Sequence, residues 1–246
     1  MVNVTARSEL LRTIVDTLNV VVEDARLDFS DGGMEVRVVD PSHVAMVKMG
    51  LDAAAFDAWE VSPSSIGIEL KIMKELLKLT APTDLVDMNY DTEKGTVTFN
   101  VGKIVRVIRP LDTTNLTPPN VPDLELPNSV TISGAYLAQA LEAAKQVGDL
   151  VNFNLEPSAF SIHVSGDQDS VNVSYSKDEV LALDCNEAVR SQFSLTYLLP
   201  MAKLMTHVES VCIRFGENLP LKMEFHFADD AGSVVYFLAP RVEGDI

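Results

Sequence analysis

The sequence predicts an α+β protein of two similar domains, each with antiparallel sheets and two short helices. Three observations support this class: strands that alternate apolar and polar residues, few helical segments, and an internal duplication with an offset of about 125 residues. The 246 residues suffice for two domains, and the 47% of hydrophobic residues supply a core for each.

The duplication is clearest in the helices. Residues 8–21 and 135–147 carry apolar side chains at helical spacing, and two strands joined by a short turn follow each segment. A second helix is expected at 71–80 and at 195–207, where Pro200 belongs in or near the first turn because a proline further in breaks a helix. Chance similarity of two α+β patterns is the alternative, but the shared order, spacing and hairpins favour a true duplication.

The segment between the two halves contains four prolines and scattered acids. Proline cannot continue a helix or a central strand, so we expect an extended linker there. The predicted organisation is a first domain over 1–111, a connector over 112–127 and a second domain over 128–246.

Charge is distributed unevenly along the chain. The sequence has 19 basic and 36 acidic residues, a net charge of −17, yet the four helical segments counted as 7–20, 71–80, 135–147 and 195–207 hold seven basic and four acidic residues. A charge run is usually a solvated face. Positive helices in duplicated positions of an acidic chain favour a different interpretation, loose contact with a polyanion without sequence preference.

The sequence contains no motif for catalysis. It lacks a phosphate-binding loop, a dinucleotide fingerprint, a zinc-protease helix and a nucleophile elbow. The histidines are scattered, the two cysteines have no zinc-site spacing, and Asp40 with His43 is typical of a turn. We therefore expect no enzyme activity, metal or cofactor. Few cysteines and no apolar run of membrane length favour a cytoplasmic protein.

Two segments indicate a family. Residues 33–56 read GMEVRVVDPSHVAMVKMGLDAAAF, and residues 220–243 read PLKMEFHFADDAGSVVYFLAPRVE. They resemble the proliferating cell nuclear antigen (PCNA) family of sliding clamps, in which a strand ends in Asp before a Ser-His-Val loop and Leu-Ala-Pro precedes an acidic tail. The connector sequence NVPDLELP resembles the archaeal form, and the resemblance covers essentially the whole chain.

The resemblance implies a homotrimeric ring that encircles duplex DNA without sequence preference and makes DNA polymerase processive, without catalysis of its own. Implied partners are the polymerase, the clamp loader replication factor C, flap endonuclease and DNA ligase, which bind through short peptides. The implied location is cytoplasmic, at the nucleoid, with no membrane contact. Two alternatives stay open: one subunit of a heterotrimeric clamp, and a checkpoint-type clamp paralogue.

The resemblance also implies which residues face DNA. These are the basic residues Arg12, Lys74, Lys78, Lys145 and Lys203. Clamps with a stronger positive charge are basic at several positions where this chain is not, which predicts loose and salt-sensitive encirclement; those positions hold Leu11, Glu75, Gln139 and Thr196.

Two further surfaces follow from the resemblance. An apolar pocket is expected to bind partner peptides, and its residues are Val39, His43, Val44, Met46, Val121, Pro122, Leu124, Leu126, Pro220, Phe237, Leu238, Ala239 and Pro240. Subunits are expected to join by pairing two exposed strand edges, 103–109 and 170–176, through Ile104, Val105, Arg106, Val107, Ile108, Val171, Val173 and Tyr175.

Overall fold

The computed structural model describes residues 1–242 of the chain. These residues divide into two compact units. The first unit holds Met1–Pro41, Val47–Val121 and His226–Val234; the second holds Ser42–Met46, Pro122–Phe225 and the residues from Val235 onward.

The first half of the chain contains nine strands and two α-helices. In chain order they are β1 (Val2–Arg7), α1 (Ser8–Asn19), β2 (Asp24–Ser30), β3 (Gly33–Val39), β4 (Ala45–Asp52), β5 (Ala58–Val61), β6 (Ser64–Glu69), α2 (Leu70–Leu77), β7 (Leu85–Asp91), β8 (Thr96–Val101) and β9 (Ile104–Ile108).

The second half repeats this order without exception among residues 1–242. Its elements are β10 (Asn128–Ile132), α3 (Gly134–Lys145), β11 (Leu150–Glu156), β12 (Ala159–Ser165), β13 (Ser170–Ser176), β14 (Ala182–Asp184), β15 (Val189–Ser194), α4 (Leu195–Leu204), β16 (Val211–Phe215), β17 (Leu221–Phe227) and β18 (Gly232–Leu238). Helices α1 and α3 begin 126 residues apart, and α2 and α4 begin 125 apart, so the structure carries the predicted duplication.

Neighbouring strands pair in antiparallel fashion within each unit. In the first unit, a five-stranded sheet has the order β5-β1-β7-β8-β9, and β2 lies between β3 and β6. In the second unit, a four-stranded sheet has the order β13-β12-β11-β15, and β10 lies between β14 and β16. The predicted α+β class is confirmed.

Each unit has an apolar core beneath its helix pair. Leu10, Ile14 and Leu18 of α1 are buried, as the helical spacing predicts. The core of the second unit is aromatic: the ring of Phe153 lies 5.5 Å from the rings of both Phe160 and Phe193, in edge-to-face geometry.

Two details of the helices differ from the prediction. Helix α2 ends at Leu77, three residues before the predicted end, and Thr80 is buried against it with its hydroxyl donating to the Leu77 carbonyl. Pro200 is the sixth residue of α4, beyond the first turn. Its ring nitrogen cannot donate to the carbonyl four residues earlier, but α4 continues to Leu204 and then tightens into a 3₁₀ turn, Met205–His207.

Candidate functional site

The side chain of Arg12, which was predicted to face DNA, forms hydrogen bonds at the C-terminal end of α2. Its Nη2 donates to the carbonyl oxygens of Leu77 and Thr80, at 2.5 and 2.6 Å, and its Nε donates to Ser8 Oγ at 3.3 Å. The last carbonyls of a helix have no partner within the helix and carry its negative dipole end, so a guanidinium there is stabilising. Arg12 thus caps α2, and its positive charge stabilises the end of that helix.

Lys74 lies on α2 and Lys78 directly follows its last residue, and the two lysines have different surroundings. The ammonium of Lys74 pairs with Asp16 of α1 at 3.0 Å and donates to Asn19 Oδ1 at 3.0 Å. Lys78 is exposed at the end of the helix and has no ion pair within residues 1–242. Of these two lysines, Lys78 carries the less neutralised charge.

The second unit repeats the ion pair between its helices. The Nζ atom of Lys203 on α4 lies 3.1 Å from Oε1 of Glu142 on α3. Lys145, the last residue of α3, pairs with Asp149 four residues later in the chain. Glu142 follows Asp16 by 126 residues, the offset of the duplication, so both units place one acid on the same turn of the first helix. These pairs lower the positive potential of the helices, in line with the loose DNA contact expected from the sequence.

The residues of the predicted peptide pocket come from four chain segments, 39–46, 121–126, 220 and 237–240. Of its thirteen residues, Val39 and Val121 belong to the first unit and the other eleven to the second. Within the second unit, the backbone N–H of Ala239 donates to the carbonyl of Val44 at 2.8 Å, which joins the Ser-His-Val loop to the C-terminal Leu-Ala-Pro segment. His43 has a positive φ of 56°, a conformation that turns this loop sharply.

Burial separates the pocket residues into two groups. Met46, Phe237 and Leu238 are buried in the chain itself, with 7%, 6% and 1% of their surface exposed. The remaining residues keep accessible surface, and those that are half-buried or exposed are Val39, His43, Val44, Val121, Pro122, Leu124, Leu126, Pro220, Ala239 and Pro240. Of the predicted pocket residues, only this second group is accessible for contact with a ligand.

The connector is fixed at its start. Leu111 donates its N–H to the Gly67 carbonyl at 2.8 Å, and a 3₁₀ turn, Thr113–Asn115, follows. The Asp112 carboxylate accepts the backbone N–H of Thr114 at 2.9 Å and its hydroxyl at 2.8 Å, and these bonds lower the pKa of Asp112. The rest of the segment from Thr117 to Pro127 has no regular structure, so the predicted extended linker begins after a short ordered turn.

The two predicted interface strands both lie at sheet edges within the described chain. Strand β9 pairs with β8 alone, and β13 pairs with β12 alone. Val105 and Val107 of β9 are 64% and 58% exposed, which is high for apolar residues of a strand. On β13 the ring of Tyr175 stacks on Tyr136 of α3 at 5.8 Å, and burial raises the Tyr175 pKa.

Other reactive side chains are sparse in the part of the chain that the structure covers. Residues 1–242 contain no cluster of three or more His, Cys, Asp or Glu placed to hold a metal ion. Burial raises the pKa of the Cys185 thiol, which makes its nucleophilic thiolate scarcer at neutral pH. No helix within these residues has the length and apolar character needed to cross a membrane.

Comparisons with known proteins identify the family. The model of the proliferating cell nuclear antigen N-terminal domain matches residues 3–108, and the model of its C-terminal domain matches residues 120–241. The chain belongs to the proliferating cell nuclear antigen family. The family assignment inferred from the sequence is therefore confirmed.

PCNA-family relatives match this chain along its length. DNA polymerase sliding clamps from Methanocella arvoryzae and Methanosarcina barkeri are 32% and 33% identical, each over 97% of both chains. A solved structure of the C-terminal region of FEN-1 bound to A. fulgidus PCNA superposes with a TM-score of 0.93 at 28% identity, over 100% of both chains. The PCNA from Thermococcus kodakaraensis has a TM-score of 0.89 at 23% identity over 98% of this chain and 100% of its own, which supports the fold.

Sequence reasoning missed several features of this PCNA-family chain. Arg12 caps α2 through residues that lie more than 60 positions away in the sequence, so no local sequence pattern could predict this contact. The stacked pair of Tyr136 and Tyr175 was equally hidden, because one ring is on a helix and the other on a strand. The ion pairs between the helices could have been predicted from the sequence, because their acids, Asp16 and Glu142, occupy equivalent positions in the two halves.

Proposed function

We propose that this chain is a DNA sliding clamp, a ring of three copies that encircles duplex DNA and holds DNA polymerase on its template. The observation that carries the proposal is the full-length match to archaeal proteins named DNA polymerase sliding clamp, in both domains and at more than 30% identity. The proposed organisation is the one expected from the sequence: a domain over 1–111, a connector over 112–127 and a domain over 128–246.

Ring closure is proposed to occur between β9 of one copy and β13 of the next. Each strand has an unpaired edge in the described chain, and β9 exposes two valines there. Pairing them removes both edges at once, which satisfies their backbone groups and buries apolar surface. The interface would contain Ile104, Val105, Arg106, Val107 and Ile108 facing Val171, Val173 and Tyr175.

The DNA contact is proposed to come from the basic residues of the four helices and their ends, repeated in each copy: Arg12, Lys74, Lys78, Lys145 and Lys203. Lys78 is the best candidate for a direct phosphate contact, because it is exposed and has no ion pair within residues 1–242. Lys74, Lys145 and Lys203 each pair with a carboxylate of the same chain, so each would have to leave that carboxylate to contact a phosphate. Contacts of this kind do not read base sequence.

Partner proteins are proposed to bind the pocket between the Ser-His-Val loop, the connector and the Leu-Ala-Pro segment. The structure of FEN-1 bound to A. fulgidus PCNA supports a peptide-binding role for the family. By the same mode we propose that DNA polymerase, replication factor C, flap endonuclease and DNA ligase bind here through short peptides. The chain would act by tethering these proteins in the cytoplasm, at the nucleoid, without catalysis of its own.

Primer extension tests this function. Polymerase and clamp loader from Methanosarcina barkeri are mixed with a long primed single-stranded circle, with and without the clamp. We expect much longer products per binding event when the clamp is present. Unchanged product length would overturn the proposal, provided that the M. barkeri clamp lengthens products in the same assay.

The mass of the purified chain in solution distinguishes the heterotrimer alternative. A species of about three times 26.9 kDa supports the homotrimer, and a 26.9 kDa species supports a subunit that needs other chains. We expect a partner strand to cover the exposed valines of β9, and because either assembly provides one, the mass measurement decides between them.

A further inference from the structure

A polar cleft of about 280 Å³ lies in the second unit, next to the C-terminal segment. Its walls include Asn152 of β11, Arg190 and Gln192 of β15, Glu217 of the loop after β16, and Arg241. Two arginines against one carboxylate give the cleft a positive balance in a chain whose net charge is −17.

A neutral side chain holds the guanidinium of Arg190. Asn152 Oδ1 accepts from its Nε at 3.2 Å and from its Nη2 at 2.9 Å, and Gln192 Nε2 approaches the same oxygen at 3.4 Å. Asn152 is only 7% exposed, so this support is rigid. An amide orients a guanidinium without neutralising it, which leaves the charge available to a ligand.

No acid in the described chain pairs with either arginine of the cleft. Glu217 Oε2 accepts the backbone N–H of Arg190 at 2.9 Å, but neither the Arg190 nor the Arg241 guanidinium lies within 4.0 Å of a carboxylate of residues 1–242. By contrast, Arg7, Arg26, Arg37, Arg106 and Arg214 all have acidic partners. Within residues 1–242, the cleft therefore holds two arginines without an acidic partner, and one of them, Arg190, is held in place by Asn152.

The cleft adjoins the proposed partner pocket along the chain. The backbone N–H of Arg241 donates to the Gln192 carbonyl at 2.7 Å, which fixes the C-terminal segment beside β15. Ala239 and Pro240 directly precede Arg241 and are pocket residues, and Ala239 is bonded to Val44. The C-terminal segment therefore connects residues of the proposed pocket to the wall of the cleft.

We infer that this cleft is a carboxylate-binding subsite of the partner pocket, which takes an acidic side chain that flanks the apolar anchors of a partner peptide. The inference rests on the proposed peptide-binding function. The planar guanidinium fork suits a carboxylate, which it can bind through two parallel hydrogen bonds. A duplex phosphate is less favoured, because Glu217 and the acidic surface of the chain repel a polyanion.

Peptide titrations test the subsite. The probe is a peptide of the FEN-1 C-terminal region, extended at either end by two Glu residues or, as the matched control, by two Gln residues. We expect the acidic extension at one end to bind about tenfold more tightly at low salt than its Gln counterpart. If neither acidic extension improves binding while the unextended peptide binds, the subsite is wrong and the pocket stands.

Variants of the protein locate the effect. The tighter binding of the acidic peptide should vanish in the double variant Arg190→Gln with Arg241→Gln. It should also vanish in Asn152→Asp, because the new carboxylate would pair with the Arg190 guanidinium in place of the peptide. Arg109→Gln removes an exposed arginine outside the cleft and should keep the gain. Equal losses in the cleft and control variants would mean general electrostatic attraction and would overturn the inference.

A second measurement does not depend on the peptide. Succinate, a small dicarboxylate, is titrated into the ¹⁵N-labelled protein while the arginine side-chain Nε–H signals are followed by NMR. A larger shift for Arg190 than for Arg109 supports the subsite even if no peptide binds, in which case only the partner pocket fails. Equal shifts, or displacement of succinate from Arg190 by a DNA duplex but not by the acidic peptide, would overturn the inference.

Discussion

The Nη2 atom of Arg12 lies 2.5 Å from the carbonyl oxygen of Leu77, so a side chain of the first helix closes the end of the second. The same nitrogen also reaches the Thr80 carbonyl, at 2.6 Å. A residue on the proposed DNA face thus has a structural task, and a change at Arg12 affects the fold as well as charge.

Replacing Arg12 with Met should therefore lower the stability of the first unit. The variant keeps most of the apolar stem but loses charged hydrogen bonds to the carbonyls of Leu77, the last residue of α2, and Thr80, a cost of about 1–3 kcal/mol. Hydrogen exchange at the backbone amides of Lys78 to Thr80 should accelerate accordingly. The control Lys78→Met removes an exposed charge with no ion pair among the described residues and should change stability by less than about 0.5 kcal/mol. Equal exchange rates in the two variants would contradict the capping role.

The acids on α1 and α3 should restrain DNA binding. Asp16 pairs with Lys74, and Glu142 pairs with Lys203. The double variant Asp16→Asn with Glu142→Gln releases both lysines to phosphates, so duplex affinity should rise. The slope of log affinity against log salt should steepen by about 0.9 for each added phosphate contact. Fluorescence anisotropy of a labelled duplex at several salt concentrations measures both quantities.

A matched pair of acids outside the helices serves as the control for this gain. Glu93 and Asp229 are exposed and form no ion pair within residues 1–242. Their double variant, Glu93→Gln with Asp229→Asn, changes the net charge equally. A similar gain in both variants would show that only net charge matters and that the helices have no special role.

The exposed valines of β9 should decide assembly. Val105→Asp with Val107→Asp places two charges where the isolated chain already exposes its side chains, so the fold should survive while pairing with β13 fails. Light scattering after gel filtration should then give the mass of one chain. Leu85→Asp is the control, because Leu85 is 50% exposed on β7, an inner strand of the same sheet. Retention of the trimer by the valine variant would contradict the edge-pairing interface.

Leu126 offers a clean test of the partner pocket. It is half-buried, so truncation should cost little stability, whereas Met46 is buried in the chain and its truncation would also weaken the core. Leu126→Ala should weaken binding of the FEN-1 peptide by about 1–2 kcal/mol, as measured by calorimetry. Leu181→Ala, at a 62% exposed apolar residue outside the pocket, should bind normally. Normal affinity of the Leu126 variant would place the peptide elsewhere.

The fold was predictable because its signals are local and repeated. Alternation along strands such as β17 and helical spacing in α1 each report one element, and the duplication confirms one half by the other. The end of α2 was not predictable, because Arg12 stabilises it through tertiary hydrogen bonds to the carbonyls of Leu77 and Thr80. The position of Pro200 departed from expectation because α4 tolerates the loss of one hydrogen bond in its second turn.

The candidate site was predictable only in part. The family resemblance nominates residues by position, but whether Met46 is exposed depends on packing that no sequence window contains. Which strands lie at sheet edges is likewise a property of topology. Strands β8 and β9 both consist mainly of β-branched and other strand-forming residues, yet of the two only β9 lacks a second neighbour within residues 1–242. The role of Arg190 could not be predicted from the sequence, because the Asn152 amide that orients its guanidinium lies 38 residues earlier in the chain.

Retention on circular DNA tests the central claim most directly. A ring that encircles duplex DNA is held by topology, so high salt should not remove it from a closed circle although its phosphate contacts are weak. The clamp is loaded onto a nicked plasmid with the clamp loader of Methanosarcina barkeri and passed through a sizing column in high salt. The account predicts that the clamp elutes with the circular plasmid and is lost after the plasmid is cut once with a restriction enzyme. Equal loss from circular and linear plasmid would contradict it.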